Sequence, residues 1–504
     1  MTCKMDEEKS IEPIKKRTRA CFKKSRGACL TCKIRHIKCD ETKPECIKCK
    51  GTGRVCEYHN PQDAALVLNP NRVSVLPGLS STRSSKEHRY FDRFRRRTIL
   101  GLMGVNEKSA FWQAIVLQLS EAFPAVLHAV IAISTLHEHL DNPTFETRRM
   151  FLQQYNKSIR HIRTLPSENQ IQVTLTCCII FVCLENAQGN HERALEHLES
   201  GLKILNTWKS QQRLLTSEKD AQDHILEIIS RLDAQATSFW DSRKPTLMPD
   251  HYGEEPVYHG DRFPDLHVAK NAAQYYEIRI LYVLTAVSPK GSRLSPGFED
   301  DYALRIKLLQ AFNRGMVKWK RAFDGLCLAE NEKWKKTELQ NSLVLRLHHE
   351  AVTLLVDLRT NSRAEDDSLP PSEYQRYQSL IDISRTLINT RNPKDGFDFS
   401  ADAGVISSLY FTAMTAPTED IYQQAIDLLR RVKRREGFWD AEKVALIAET
   451  VAQRRKAGER GDHLTGGVLK LAELAGVEFR TALFPWPADN AALENRFSNG
   501  LTIQ

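Results

Sequence analysis

Six cysteines between residues 29 and 56 constrain the fold of this chain more than any other feature of its sequence. They are half of its 12 cysteines and form the pattern C-x2-C-x6-C twice. The six are Cys29, Cys32, Cys39, Cys46, Cys49 and Cys56. Adding 17 to each of the first three positions gives the last three, which indicates one site with two similar halves.

The repeat favours a metal site over disulfide bonds. Disulfide frameworks are typical of chains with an apolar signal peptide, whereas this one opens with the charged stretch MTCKMDEEKS. The longest apolar-rich run, LTCCIIFVCL at 175–184, is interpreted as too short to span a bilayer.

The number of cysteines favours two zinc ions over one. A single tetrahedral zinc needs four ligands, which leaves two cysteines over. Two zinc ions need eight ligand positions, and six thiolates supply eight if two of them bridge. An iron–sulfur cluster uses the same ligand type, but six evenly repeated cysteines fit four-ligand clusters poorly.

The residues between the second and third cysteines are basic. The sequence K-I-R-H-I-K places four polar side chains around two isoleucines: Lys33, Arg35, His36 and Lys38 around Ile34 and Ile37. On a short helix the isoleucines, three apart, are expected to pack against the metal core while the basic groups face a partner. The matching stretch K-G-T-G-R-V has two glycines and fewer cations, which predicts a supporting role for the second half.

Positive charge is concentrated at the N-terminus. Residues 1–60 contain 16 Lys or Arg and eight Asp or Glu, a surplus of eight, while the whole chain has a net charge of +9. Beside a metal cluster, this surplus favours binding to nucleic-acid phosphates. The basic run KKRTRACFKKSR, residues 15–26, is interpreted as either a nuclear-localisation signal or a phosphate-gripping arm.

The segment RGACLTCKIRHIKCDETKPECIKC resembles the fungal binuclear zinc-cluster DNA-binding domain. In that family the first and fourth cysteines bridge the two metals, which implies bridging roles for Cys29 and Cys46. The resemblance implies these ligand sets: Cys29, Cys32, Cys39 and Cys46 for one zinc, and Cys46, Cys49, Cys56 and Cys29 for the other.

The same resemblance implies how the domain contacts DNA. In the family the helix after the second cysteine enters the major groove and contacts a short GC-rich triplet, commonly CGG. By position, Arg35 and His36 match the base-contacting pair, and Lys33 and Lys38 match flanking basic positions. His36 departs from the usual Lys or Arg, because its ring donates one hydrogen bond to guanine where Arg donates two.

The remaining chain is predicted to be a linker followed by helices. Three prolines and clustered serines after Cys56 indicate a flexible linker. It shows no sustained heptads, so no coiled-coil dimer is predicted there, and monomeric binding or dimerisation elsewhere are both open. From about Tyr90 to Val477, apolar residues recur at three- and four-residue spacing, which indicates packed helices.

Three stretches of this region, FWQAIVLQLSEAFPAVLHAVIAISTLHEH, GNHERALEHLESGLKIL and RREGFWDAEKVALIAE, are similar to the family's regulatory region in filamentous fungi. The predicted fold class is mainly α: a small binuclear zinc-cluster DNA-binding domain, a linker and a large all-α regulatory domain. The predicted bounds are a basic arm at 1–26, the zinc-cluster domain at 27–58, the linker at 59–89, the regulatory domain at 90–480 and a tail at 481–504.

No catalytic constellation is found in the sequence, so the chain is predicted not to be an enzyme. It has no G-x-x-x-x-G-K-[ST], H-E-x-x-H or G-x-S-x-G motif. His137 and His139 are two apart and would lie on different faces of a helix, and the His348–Glu350 stretch fails similarly. The cysteines of the apolar run, Cys177, Cys178 and Cys183, are interpreted as core thiols.

The sequence therefore predicts a nuclear, sequence-specific DNA-binding regulator of RNA polymerase II genes that holds two zinc ions. Its expected partners are double-stranded DNA and the transcription machinery, with no membrane. By analogy with the family, control of a metabolic or secondary-metabolite pathway is expected. The alternative hypothesis is a helical interaction scaffold whose zinc module binds RNA or protein.

Overall fold

A computed structural model describes most of the helical region and the cysteines of the repeat. The residues described are 29, 31–32, 37–43, 45–52, 56, 83–104, 109–165, 170–210, 216–239, 246, 262–285, 298–360, 371–390, 398–459 and 475. The chain divides into two compact units, Met1–Asn69 and Pro70–Gln504. Most of the predicted linker lies outside the described residues, so the prediction that it forms no coiled coil is not tested. The basic run at 15–26 also lies outside the described residues.

The described part of the first unit contains a short helix, and the second unit is built mainly from helices. The helices are α1 Ile47–Lys50, α2 Ser85–Arg93, α3 Ile99–Met103, α4 Val116–Ala122, α5 Pro124–Glu138, α6 Phe145–Ile162, α7 Gln170–Gln188, α8 His191–Ser210, α9 Thr216–Phe239, α10 Leu266–Thr285, α11 Phe298–Glu330, α12 Lys336–Thr360, α13 Pro371–Asn389, α14 Ile406–Thr415, α15 Glu419–Arg431 and α16 Ala441–Lys456. π-helical turns at Phe94–Thr98 and Phe111–Ile115 precede α3 and α4, and a 3-10 turn at Asn331–Lys333 precedes α12.

Helix α5 lies at the centre of the N-terminal half of the second unit. Pro124 occupies its first turn, where the missing N–H is no loss. Eleven of its 15 residues are buried, because α2, α4, α6 and α7 all pack around it. A helix that is apolar on nearly every side is expected to form the core of a bundle.

Helix α7 is the second core helix. The apolar run at 175–184, interpreted from the sequence as too short to span a bilayer, belongs to a 19-residue helix. Its window Ile171–Gln188 is long and apolar enough to cross a membrane, but 89% of that window is buried inside the protein. Burial also confirms the three core thiols, and it raises the pKa of Cys178 to about 12.

A tight turn at Gly189 joins α7 to α8. Gly189 has a φ of +83°, a conformation that glycine adopts without the steric penalty of a side chain. The N–H of Asn190 donates to the carbonyl of Glu185 at 2.9 Å, which closes the end of α7. Because the turn is so short, α7 and α8 pack against each other as an antiparallel hairpin.

A small three-stranded sheet interrupts the helices of the second unit. Its strands are β1 Asp398–Ser400, β2 Arg434–Glu436 and β3 Trp439–Asp440, in the order β1-β2-β3. β1 runs parallel to β2, and β2 pairs antiparallel with β3. The mainly α architecture is confirmed, and this sheet is an addition that the sequence pattern did not indicate.

Buried charges fasten the loop after β1 to the surrounding helices. The carboxylate of Asp402 accepts hydrogen bonds from Arg231 of α9 at 3.1 Å and from Lys270 of α10 at 2.8 Å. Desolvation by burial opposes ionisation of Asp402, but the charges of Arg231 and Lys270 lower the pKa of this carboxyl. The three side chains therefore link two helices to the sheet.

Glu436 of β2 caps helix α14 from a distance. Its side chain is fully buried and accepts hydrogen bonds from the backbone N–H groups of Gly404 at 2.8 Å and Ile406 at 2.9 Å. These N–H groups lie at the start of α14, where no side chain of the helix itself provides a cap. Arg434 pairs with the same carboxylate, so Glu436 joins the sheet to the helix through three donors.

Removing this carboxylate should destabilise the second unit. We expect Glu436→Ala to lower the free energy of unfolding by about 3 kcal/mol, because it leaves two backbone donors and the Arg434 guanidinium without their acceptor. The measurement is denaturant unfolding followed by circular dichroism. Glu199→Ala, at an exposed position of α8, is the control and should change stability by less than about 0.5 kcal/mol. Equal unfolding midpoints for the two variants would contradict this role.

Candidate metal centre

The six sulfur atoms of the repeat lie together in the first unit. Five of the cysteines are buried and Cys56 is partly exposed. Two sets of four ligand atoms each lie within 4.8 Å of one another: Cys29, Cys32, Cys39 and Cys46, and Cys29, Cys46, Cys49 and Cys56. The two sets share Cys29 and Cys46. Among the described residues, these are the only groups of three or more potential ligands close enough to hold a metal ion.

The separations between sulfur atoms fit zinc coordination. The Sγ atom of Cys46 is 3.7 Å from that of Cys29 and 3.6 Å from that of Cys32, and the Sγ atoms of Cys39 and Cys29 are 3.8 Å apart. Four sulfurs placed tetrahedrally around zinc at a bond length of about 2.3 Å are about 3.8 Å apart. A disulfide requires a separation of about 2.05 Å, and all six cysteines are free thiols.

Each C-x2-C pair forms a short turn in which backbone N–H groups point toward sulfur. The N–H of Cys32 donates to the Sγ of Cys29 at 3.4 Å, and that of Cys49 donates to the Sγ of Cys46 at 3.3 Å. The two contacts are separated by the same 17 residues as the sequence repeat, so the two halves have matching local geometry. Such donors stabilise the thiolate form that a metal ligand requires.

Two further backbone N–H groups donate to the third cysteine of each half. The N–H of Cys46 donates to the Sγ of Cys56 at 3.1 Å. The N–H of Glu41 donates to the Sγ of Cys39 at 3.4 Å. Each half of the cluster therefore has its third cysteine oriented by a backbone donor.

Asp40 connects the loop after Cys39 to the start of α1. Its Oδ2 atom accepts hydrogen bonds from the Thr42 hydroxyl and, at 3.1 Å, from the backbone N–H of Ile47. The hydroxyl of Thr42, followed by the N–H of Ile47, lowers the pKa of the Asp40 carboxyl to about 2. Asp40 was not among the predicted site residues, although aspartate side chains commonly close local turns by accepting hydrogen bonds.

The candidate DNA-contacting residues are only partly described. Lys33, Arg35 and His36 lie outside the described residues, as does Ile34. Lys38 is exposed beside the cluster. The isoleucines were expected to pack against the metal core. Ile37 is instead 36% exposed, so it packs against the sulfur atoms less than expected.

Histidines of the two stretches that form no catalytic constellation contact neighbouring elements of the fold. His137 on α5 lies 3.3 Å from the Thr98 hydroxyl and 3.1 Å from Asp398 of β1. His349 on α12 lies 3.1 Å from the carbonyl of Met316 on α11. These rings connect neighbouring elements of the helical unit.

Comparison with protein families identifies two regions of the chain. Residues 27–65 match the fungal Zn(2)-Cys(6) binuclear cluster domain. Residues 89–274 match the fungal specific transcription factor domain. Both models describe domains of fungal transcription factors, the family that the cysteine repeat resembles. Both domains are found in transcription factors rather than enzymes, and the cluster domain binds two zinc ions, which confirms the predicted zinc cofactor and the predicted resemblance to this family.

Curated proteins similar to this chain are fungal regulators. It is 27% identical to the aspercryptin biosynthesis cluster-specific transcription regulator atnN of Emericella nidulans over 44% of this chain and 41% of that protein. It is 29% identical to the transcription regulator lscL of Purpureocillium lilacinum over 37% of this chain and 50% of that protein. The matched segments thus span half or less of these relatives' lengths. No solved structure matches the chain.

The hydrogen bonds that link Asp40 to Thr42 and Ile47 predict how slowly the cluster releases zinc. We expect Asp40→Ala to raise the rate of zinc transfer to a chromophoric chelator by roughly 10-fold, because residues outside the ligand set orient the ligands. Asp40→Asn keeps an oxygen acceptor and should give an intermediate rate. Glu45→Ala removes an exposed carboxylate nearby and serves as the control. Equal release rates for Asp40→Ala and Glu45→Ala would show that the link does not support the cluster.

Proposed function

We propose that this chain is a nuclear, zinc-dependent regulator of RNA polymerase II transcription that binds a short GC-rich DNA site in the major groove. The observation that carries the proposal is the pair of four-sulfur sets sharing Cys29 and Cys46. It is supported by the basic surplus of residues 1–60. A domain with a metal core and a basic surface has the features that phosphate binding requires.

In this proposal the two zinc ions share two ligands. One ion is held by Cys29, Cys32, Cys39 and Cys46, and the other by Cys46, Cys49, Cys56 and Cys29. The distances between the sulfur atoms support this assignment, because they match the edge of a zinc tetrahedron. Zinc supplies the folding free energy that a unit of this size lacks.

The basic residues of the first half divide into two roles. Arg35 and His36 contact base edges, and Lys33 and Lys38 contact phosphates. The exposure of Lys38 beside the cluster supports its part of this assignment. Base contacts provide sequence discrimination, whereas phosphate contacts provide affinity for any sequence.

The second unit acts as the regulatory part and contacts the transcription machinery. We assign it to the control of a biosynthetic gene set, because one relative is named as specific to an aspercryptin biosynthesis cluster. The test is deletion of the gene followed by transcript profiling and genome-wide mapping of the bound sites. Loss of transcription from one contiguous gene set with bound promoters would support the assignment. Unchanged transcripts would contradict it.

The bridging assignment predicts the zinc content of variants. The full-length protein should hold two zinc ions in native mass spectrometry. Cys46→Ser should lose both, because Cys46 is a ligand of each, while Cys32→Ser should mainly lose one. Cys327→Ser changes a buried thiol of the helical unit and should keep two. A wild-type protein holding one zinc or none would overturn the proposal.

The two contact roles predict different responses to substitution. On a duplex that the full-length protein selects from a random library, Arg35→Ala should cost about 1–3 kcal/mol of binding free energy, and much less on random DNA. Lys38→Ala should weaken both duplexes alike and reduce the salt dependence by roughly one unit. Fluorescence anisotropy over a series of salt concentrations measures both effects.

The same titrations separate this function from the alternative. If wild-type protein prefers single-stranded or double-stranded RNA of the same sequence, the zinc module is an RNA-binding unit. If Arg35→Ala weakens selected and random duplexes equally, Arg35 contacts phosphate and the base-contacting assignment is wrong.

A further inference from the structure

A stripe of basic side chains runs along the first helical segment of the second unit. From α2 through the π-helical turn at Phe94–Thr98, five cations follow the helical spacing of three, four, three and one residues: Lys86, Arg89, Arg93, Arg96 and Arg97. We call these five residues the α2 stripe. It extends over about 16 Å, since a helix rises about 1.5 Å per residue, which is the length of about five base pairs.

The charge of the α2 stripe is only partly neutralised. Residues 85–103 contain six Lys or Arg and two Asp or Glu. Glu138 of α5 lies 2.6 Å from Arg89 and 3.5 Å from Arg93. Asp92 pairs with Arg96 at 3.0 Å. In the part of the chain that the structure describes, no carboxylate pairs with the exposed side chains of Lys86 and Arg97.

The existing ion pairs leave the stripe available to an anion. Arg96 is 76% exposed and Asp92 is 51% exposed, and an exposed pair of this kind contributes about 0–1 kcal/mol. A phosphate can therefore replace Asp92 as the partner of Arg96 at little cost. Arg89 also remains 57% exposed beside Glu138.

The fold holds the α2 stripe in place. At its start, Ser84 and Glu87 form a reciprocal capping box, and the buried Glu87 carboxylate also accepts from Lys157 of α6 at 3.0 Å. At its end, Phe94 and Thr98 of the π-helical turn are fully buried. π-helical turns occur often at functional sites. A preorganised row of cations loses less conformational entropy on binding than a mobile arm does.

The position of the stripe in the sequence identifies its partner. Lys86 follows the last cysteine of the zinc repeat by 30 residues. A fully extended chain of that length spans up to about 100 Å. DNA held by the zinc module is thus present at a high effective concentration.

We infer that the α2 stripe binds the phosphate backbone of DNA flanking the site held by the zinc module. The inference rests on the proposed function, because the module must first bind DNA. An acidic protein or an RNA would also match the positive charge of the stripe. DNA is favoured because the zinc module of the same chain binds it and so tethers it to the stripe. The stripe adds affinity that is independent of sequence.

The test compares two duplexes with the full-length protein. Both contain the site that this protein selects from a random library; one ends close to the site, and the other extends it by 20 base pairs on each side. The variant is Lys86→Gln with Arg97→Gln. The control is Lys203→Gln with Arg359→Gln, a Lys and an Arg at exposed positions on α8 and α12. Affinity is measured between 50 and 200 mM salt.

We expect wild type and control to bind the long duplex more tightly and with a steeper salt dependence than the variant. Two lost phosphate contacts reduce the slope of log K against log salt by about 1.8, so wild-type affinity should fall about tenfold more than that of the variant over this range. All three proteins should bind the short duplex alike, with two zinc ions each.

Each other outcome contradicts a specific claim. Equal binding of wild type and variant to the long duplex, with normal binding to the short one, overturns the inference and leaves the proposed function intact. Binding of neither duplex by wild-type protein that contains two zinc ions overturns the proposed function itself. Equal weakening in variant and control means that the effect is one of net charge, which also overturns the inference.

Discussion

The N-terminal unit depends on the close approach of six cysteine sulfur atoms, because its buried apolar cluster, among the described residues, consists of cysteines alone. Thiolates whose sulfur atoms lie within 4.8 Å of one another in each set of four would repel one another strongly without cations. Two Zn²⁺ ions neutralise four of the six negative charges, and backbone N–H groups directed at sulfur stabilise the rest. The metal therefore takes the place of a hydrophobic core, and the basic side chains are not needed for packing.

The helical unit follows the opposite rule. Its core is apolar, with α5 and α7 enclosed by other helices. Two of its buried carboxylates, Asp402 and Glu436, occur where the small sheet meets the bundle. Asp402 and Glu436 are expensive to bury, yet each accepts hydrogen bonds from two or more donors on different segments. Paired in this way, the carboxylates fix the position of the sheet, which apolar contacts between strands of two or three residues cannot do.

The sequence predicted those parts whose pattern is periodic and missed those whose structure depends on distant contacts. The cysteine repeat indicated the sulfur cluster, and three- and four-residue spacing indicated the helices. The sheet was missed because the residues of β2, Arg434–Glu436, have neither alternation nor β-branched side chains. Glu436 was missed because its hydrogen-bond partners lie 30 and 32 residues away in the sequence. The contact of Asp40 with α1 spans seven residues and carries a weaker local signal.

Net charge alone also hid a feature that the fold reveals. Residues 61–504 have nearly balanced charges, so positive charge was predicted to be concentrated at the N-terminus alone. Within this balanced region, however, residues 85–103 carry a surplus of four positive charges. Folding places five of the six cations on one stripe, and the neighbouring acids Glu138 and Asp92 neutralise only part of its charge. Because phosphate binding responds to local potential within about a Debye length of 10 Å, the stripe attracts DNA despite the near-neutral unit around it. A tethered contact needs little intrinsic affinity, since the effective concentration of the flanking DNA is in the millimolar range. Discrimination between sites then remains with the zinc module, while the stripe lengthens the time for which any bound site is held.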